Sequence, residues 1–185
     1  MAFPLKFTLV TAVLLLAACR SDPIQFHTLT PAQVGDHSRT TAGVIQIETL
    51  SVPPQVDRAQ IVIREGNSGL AILETQWWGA TLVEELRSAL ADQLSNSPVQ
   101  GKYSVRVDVQ RFDSVPGQYA LMDVKWRLRS ADTADTARVI CRSTLQTPSG
   151  VSIDDLVLAQ QNNVKRLAAL ISQAATRPQA NCPSP

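Results

Sequence analysis

Three cysteines, at positions 19, 141 and 182, are the residues best placed to do chemistry in this chain. Cys19 follows Leu16-Ala17-Ala18, behind Lys6 and a largely apolar run from Phe7 to Ala18. A basic start, a short apolar segment and small residues before a cut make a secretory signal. The run is too short to span a bilayer, which takes about 20 apolar residues. Cys19 is then either a modified thiol or a chance neighbour of an ordinary cleavage site. With Cys19 set aside, Cys141 and Cys182 remain, and an even pair in an oxidising compartment predicts one disulfide. It would tie a predicted strand to the C-terminal tail; the other reading is a buried free Cys141 and an exposed Cys182. Catalytic patterns are missing from the sequence: there is no Gly-x-Ser-x-Gly, no His-x-x-x-His and no phosphate-cradling glycine loop. The acidic pairs Glu84-Glu85 and Asp154-Asp155 fall at helix starts, where capping explains them. His27 and His37 fall in a linker-like stretch, a poor place for a catalytic base. No enzyme, metal or cofactor is expected.

The elements follow from periodicity. Val44 to Leu50 and Gln60 to Arg64 read as strands rich in β-branched residues. Gly66-Asn67-Ser68-Gly69 is a turn, and Leu70 to Glu74 completes a hairpin. Trp78, Leu82, Leu86, Leu90 and Leu94 recur every four residues and predict an amphipathic helix, with Thr81-Leu82-Val83-Glu84 as a capping box. Tyr103, Val105, Val107 and Val109 alternate with Arg106, Asp108 and Gln110. Ala120, Met122, Val124, Trp126 and Leu128 alternate with Asp123, Lys125, Arg127 and Arg129. Each strand has one buried and one wet face, the mark of an antiparallel sheet. The polar run from Ser130 to Ala137 is a turn, Arg138 to Thr147 is a further strand, and a last helix opens at Ser152-Ile153-Asp154-Asp155. Its stripe is Ile153, Val157, Val164, Leu167, Ile171 and Ala174. The economical packing is α+β: a mainly antiparallel sheet with two amphipathic helices on one face. The expected organisation is signal 1–18, tether 19–43 with a short extended piece at Ile24 to Leu29, one domain 44–177, and a tail 178–185.

Removing residues 1–18 leaves 167 of 185, enough for one domain with a real core. Losing Lys6 from 17 basic residues leaves 16 of each sign, so nothing in the charge balance points to nucleic acid.

Leu16-Ala17-Ala18-Cys19 resembles the lipobox of bacterial lipoproteins. The resemblance implies a diacylglycerol thioether on Cys19, cleavage before it, and an acyl chain on the new amine. One chain holds only marginally, at about 0.8 kcal/mol per buried methylene, whereas several hold the protein to the membrane durably. Arg20 stands where Asp often signals inner-membrane retention in Gram-negative lipoproteins, so the resemblance favours the periplasmic leaflet of the outer membrane. A second resemblance spans Val52-Pro53-Pro54 through Asp57-Arg58-Ala59-Gln60-Ile61-Val62 to Trp78 and Leu82. It is similar to the ABC-type transport auxiliary lipoproteins, the PqiC-like family. Gln55-Val56 departs from a common aromatic-leucine pair, and Thr81 stands where a helix-starting proline is common.

That likeness implies a non-enzymatic accessory role in an MCE-type ABC lipid transport system. The partners would be a periplasmic MCE-domain protein and an inner-membrane permease complex, with the membrane held through the lipid anchor and no nucleic acid involved. A homo-oligomer is compatible with it. The alternative is a stand-alone periplasmic lipid-binding or structural envelope lipoprotein. Asp57 and Arg58, adjacent and just before a strand, read either as partner contacts or as a local ion pair. Trp77 and Trp78, placed on a helix, would point about 100° apart. That puts Trp78 in the core and leaves Trp77 as an interface anchor or a second core residue.

Overall fold

A computed structural model describes residues 22–32, 43–130, 139–177 and 181–184. In chain order the elements are β1 (Gln25–His27), β2 (Gly43–Ser51), β3 (Gln60–Glu65) and β4 (Gly69–Trp78), then α1 (Leu82–Ser95). β5 (Gly101–Val115), β6 (Tyr119–Ser130), β7 (Val139–Pro148) and α2 (Ile153–Thr176) follow. The signal 1–18, Cys19, His37 and the turn at 131–137 lie outside the described residues.

The fold is α+β, with two mixed sheets in place of one mainly antiparallel sheet. The larger has the order β2-β5-β6-β7 and the smaller β1-β4-β3. β5-β6 and β6-β7 are antiparallel, as alternation predicts, but β2 runs parallel to β5 and β1 parallel to β4. The sequence pattern reports which face is buried and is silent on direction. The connection from β2 to β5 carries β3, β4 and α1, and such a crossover returns the chain parallel.

Burial follows the alternation. Val105, Val107 and Val109 of β5 and Ala120, Met122, Val124, Trp126 and Leu128 of β6 are all buried. The register slips between Val109 and Arg111, so Phe112 returns to the core in place of Arg111. The buried Trp126 indole N–H donates to Ser143 Oγ at 3.0 Å, so its polar atom is matched. Pro116 and Gly117 turn β5 into β6: Gly117 takes φ 74°, and the Gln118 N–H closes the turn on Val115 O at 3.1 Å. Proline followed by a positive-φ residue is a type II turn, which favours glycine at that place. Where β2 enters against β5, a Cβ on Gly43 would lie 2.5 Å from two carbonyl oxygens, of Val99 and Gly101.

Both helices pack against the core. α1 buries Leu82, Leu86, Ala89, Leu90 and Leu94, each large aliphatic contributing about 1.5–3 kcal/mol. Its N-terminus is closed by Glu84, whose Oε2 accepts from the Thr81 hydroxyl at 2.9 Å and from the Thr81 N–H at 3.3 Å. Glu84→Ala is expected to cost about 1 kcal/mol in urea unfolding, the size of a lost cap. α2 starts at Ser152, whose Oγ accepts from the Asp155 N–H at 3.0 Å. Its predicted stripe is buried or half-buried, and it also contains two fully buried amides, Gln160 and Asn163. Gln160 donates to Asp113 O at 3.1 Å and Asn163 to Ala120 O at 3.1 Å. Thr147 Oγ1 donates to Asn163 Oδ1 at 2.7 Å. These bonds index α2 against β5, β6 and β7, which apolar contacts alone would leave free to slide.

Two expectations shift. Trp78 ends β4 instead of beginning α1, and Gly79 separates the two elements, its N–H bonded to His27 O at 2.9 Å. A tryptophan four residues before Leu82 imitates helical spacing across that break. Within the expected tether, residues 25–29 are built into the fold: β1 pairs with β4, and Leu29 is fully buried.

Candidate functional site

The predicted interface residues converge at one end of the smaller sheet. Asp57 and Arg58 lead into β3. The Arg58 N–H bonds to Val56 O at 2.9 Å, and the Trp78 N–H to Ala59 O at 2.6 Å, locking this loop to the end of β4. Exposed Asp57 accepts from the Val83 N–H in the first turn of α1 at 3.3 Å, where a carboxylate suits the helix dipole. It therefore holds the loop to the helix. Arg58 is half-buried, and its Nε has no hydrogen-bond partner among the described residues.

Trp77 and Trp78 lie on a strand, so they point to opposite faces and not 100° apart. Trp78 is buried in the core. Trp77 faces outward, half-buried, its indole N–H donating to Glu74 O at 2.8 Å and its ring meeting Phe26 edge to face at 6.2 Å.

The clasp beneath these residues was not foreseen. Glu85 is buried on α1, and its Oε2 accepts from the Thr28 hydroxyl at 2.8 Å and from the buried Leu29 N–H at 2.9 Å. Gln161 on α2 donates to Thr28 O at 2.9 Å. His27, only 9% exposed, has Nε2 at 2.7 Å from Gln76 Oε1 and Nδ1 at 3.3 Å from Asp154 Oδ1. Both helices thus grip the segment by which the chain enters the domain. The pairing of Glu84 with Glu85 was the available signal: capping uses one acidic residue and leaves the second needing a reason.

The sheets meet at Asp113, a buried carboxylate bonded by Arg64 of β3 at 2.9 Å and also by Arg111. On the outer face of the larger sheet, Asp123 accepts from Arg142 Nε at 2.9 Å. Arg142's hydrogen bonds hold the Asp123 carboxyl below its ordinary range, outweighing the opposing effect of burial. A depressed native pKa adds stability that is complete above the unfolded value, near 4, and is lost as pH falls through the native value. Asp123→Asn is therefore expected to flatten the acid limb of a thermal-stability profile below about pH 4. An unchanged limb would remove Asp123 from the acid transition.

Cys141 and Cys182 are joined, with Cα atoms 5.6 Å apart, tying the tail to β7. A cleft of about 360 Å³ lies between the helix ends, lined by Gln93, Ser97, Lys165 and Ser172 among others. Among the described residues, no three His, Cys, Asp or Glu side chains gather as a metal site. No described helix is long and apolar enough to cross a membrane.

Comparison with known proteins supplies what geometry does not. The family model of the ABC-type transport auxiliary lipoprotein component matches residues 27–172. The chain belongs to that family. The match begins at His27, in the clasped entry segment, and ends at Ser172 on α2, so the auxiliary-lipoprotein unit takes in both sheets and both helices. A crystal structure of a Xanthomonas campestris protein superposes with a TM-score of 0.64 at 15% identity, covering 82% of this chain and 95% of that one. A second solved structure, of an uncharacterized protein, gives 0.64 and 15% over 82% of this chain and 98% of the other. At that identity the likeness is one of fold. No curated protein matches the auxiliary lipoprotein. Its family describes a component of ABC-type transport, and a membrane-anchored envelope protein.

Proposed function

We propose that this chain is a non-enzymatic accessory subunit of an MCE-type ABC lipid transport system. It is anchored by acyl groups on Cys19 in the periplasmic leaflet of the outer membrane, and it holds or receives the outer end of the periplasmic bridge. The family match over residues 27–172 carries the proposal. The lipobox ending at Cys19 and Arg20 behind it support the anchor and the outer-membrane address. Asp57 and Arg58 form the partner-facing end, where the loop before β3 is locked to the end of β4. Their contact is with the periplasmic MCE-domain protein, which links to the inner-membrane permease. In this reading the domain takes in β1. The Cys141–Cys182 bond suits the oxidising compartment that the anchor implies.

Crosslinking and affinity purification of the native acylated protein from membranes, followed by mass spectrometry, tests the assignment. Recovery of an MCE-domain protein or its permease is the expected result. Recovery of the lipoprotein alone, where a known envelope complex survives the same procedure, would count against it.

A further inference from the structure

One face of the smaller sheet is apolar and open at Phe26, Leu70 and Ile72, while Val62 on the same face belongs to the buried core. Paired residues on neighbouring strands share a face, and alternate residues along a strand do too. Phe26 and Gln60 both pair with Trp77, Val62 with Ile72 and Arg64 with Leu70. Gln60, Val62 and Arg64 are alternate residues of β3, so their partners Trp77, Ile72 and Leu70 lie on one face. The four residues between Ile72 and Trp77 face Ile61 alone, and this bulge brings two residues five apart onto the same side. Ile61 and Trp78 face the core instead. The outer face presents Phe26 at 67% exposure, Ile72 at 47% and Leu70 at 45%, beside Trp77 and over the buried Val62. Ile24, 46% exposed, extends it along β1.

We infer that this face rests on the phospholipid bilayer that holds the anchor, with Phe26 and Trp77 at the boundary between headgroups and acyl chains. The inference rests on acylation of Cys19. Five residues, Arg20 to Ile24, separate Cys19 from β1. A fully extended chain spans at most about 3.6 Å per residue, so the start of β1 stays within about 22 Å of the anchored cysteine. The clasp on Thr28 and Leu29 keeps β1 from peeling away to lengthen that tether. The face carrying Phe26 and Trp77 is therefore held beside the membrane at high effective concentration. Aromatic side chains with one polar edge favour the interface. Exposed Asp22, Glu65 and Glu74 surround the face, so apolar insertion drives contact and anionic headgroups do not.

The test uses native acylated protein in vesicles of phosphatidylethanolamine and phosphatidylglycerol whose acyl chains are brominated near the glycerol. Trp78 and Trp126 are buried, so Trp77 is the tryptophan that bromine reaches. Tryptophan emission is expected to fall relative to unbrominated vesicles, and the fall to vanish in Trp77→Phe. Phe26→Ser and Ile72→Ser, which keep Trp77, should each weaken it. Emission equal in both vesicle types, with Trp77 still open to aqueous acrylamide, would overturn the inference. Shielding of Trp77 that grows with protein concentration and without bromine quenching would overturn it too, by assigning the face to a second copy. The intact mass of the purified protein separates the two readings. If acyl groups are missing, the reading of Cys19 fails. The same quenching, run on a chain held to nickel-chelating lipid through a histidine tag placed at residue 19, then decides the face independently.

Discussion

Loss of the Cys141–Cys182 bond is expected to remove up to about 4 kcal/mol of stability, the largest effect of any single change considered. The bond spans 41 residues, a loop that contains the end of β7, all of α2 and the start of the tail. Closing a loop of that length restricts the unfolded chain by an entropy worth about 4 kcal/mol at room temperature. The folded state loses less, because β7 and α2 are already held by the core and by Asn163 and Gln160. Urea unfolding of Cys182→Ser against the parent chain measures the effect. A lower midpoint is expected for the variant, together with a parent that falls to the same midpoint in dithiothreitol and a variant indifferent to it. Equal midpoints in oxidising buffer would mean that the bond contributes nothing. The reduced protein should still fold, since Cys141 is one buried residue in a sheet whose other contacts persist.

The second large effect is expected at Glu85. Its carboxylate serves the buried Leu29 N–H and the Thr28 hydroxyl, and truncation leaves a buried donor without an acceptor. An unmatched buried polar group costs about 1–3 kcal/mol, so Glu85→Ala should cost about 2–3 kcal/mol in all. Glu85→Gln keeps one acceptor oxygen and should recover more than half. The damage should be local before it is global. Amide exchange at Leu29 and along β1 should accelerate strongly in Glu85→Ala, while β5 and β6 keep their protection. Unaltered exchange at Leu29 would show that the entry segment is held by β1-β4 pairing alone.

These two sites differ in how the sequence announces them. A pair of cysteines left over after Cys19 is visible by counting. Glu85 is not, because its partner lies 56 residues away and a carboxylate next to Glu84 looks like part of a helix start. The larger sheet was legible because side-chain type alternates along most of β5 and β6, although Asp113 of β5 and Leu121 and Asp123 of β6 are buried as well. α1 was legible through its leucines for the same reason. Strand direction was not legible: the parallel β2-β5 and β1-β4 pairs bury the same residue types that antiparallel pairs would. β1 has three residues, too few for any period to show. Gln160 and Asn163 were passed over because polar residues interrupt an apolar stripe; only the strand carbonyls opposite them explain their burial. For Trp77 the sequence leaves an outward anchor and a second core residue open and points to the wrong element, since a strand end and a turn together mimic helical spacing. The closeness of Asp57 and Arg58 to the end of β4 emerges only once β3 and β4 are paired.

The strand order also sets a timetable. β1 has no partner until β4 exists, and β2 has none until β5 exists. The first segments to emerge during export are thus among the last to settle, because each waits for residues far downstream. Cys19 lies six residues before Gln25, so in the proposed reading the enzyme that acylates it meets a chain whose neighbouring strand has nothing yet to pair with. Parallel pairing between distant segments, slow as a route to the native state, leaves β1 unpaired through the interval in which the proposed acylation takes place.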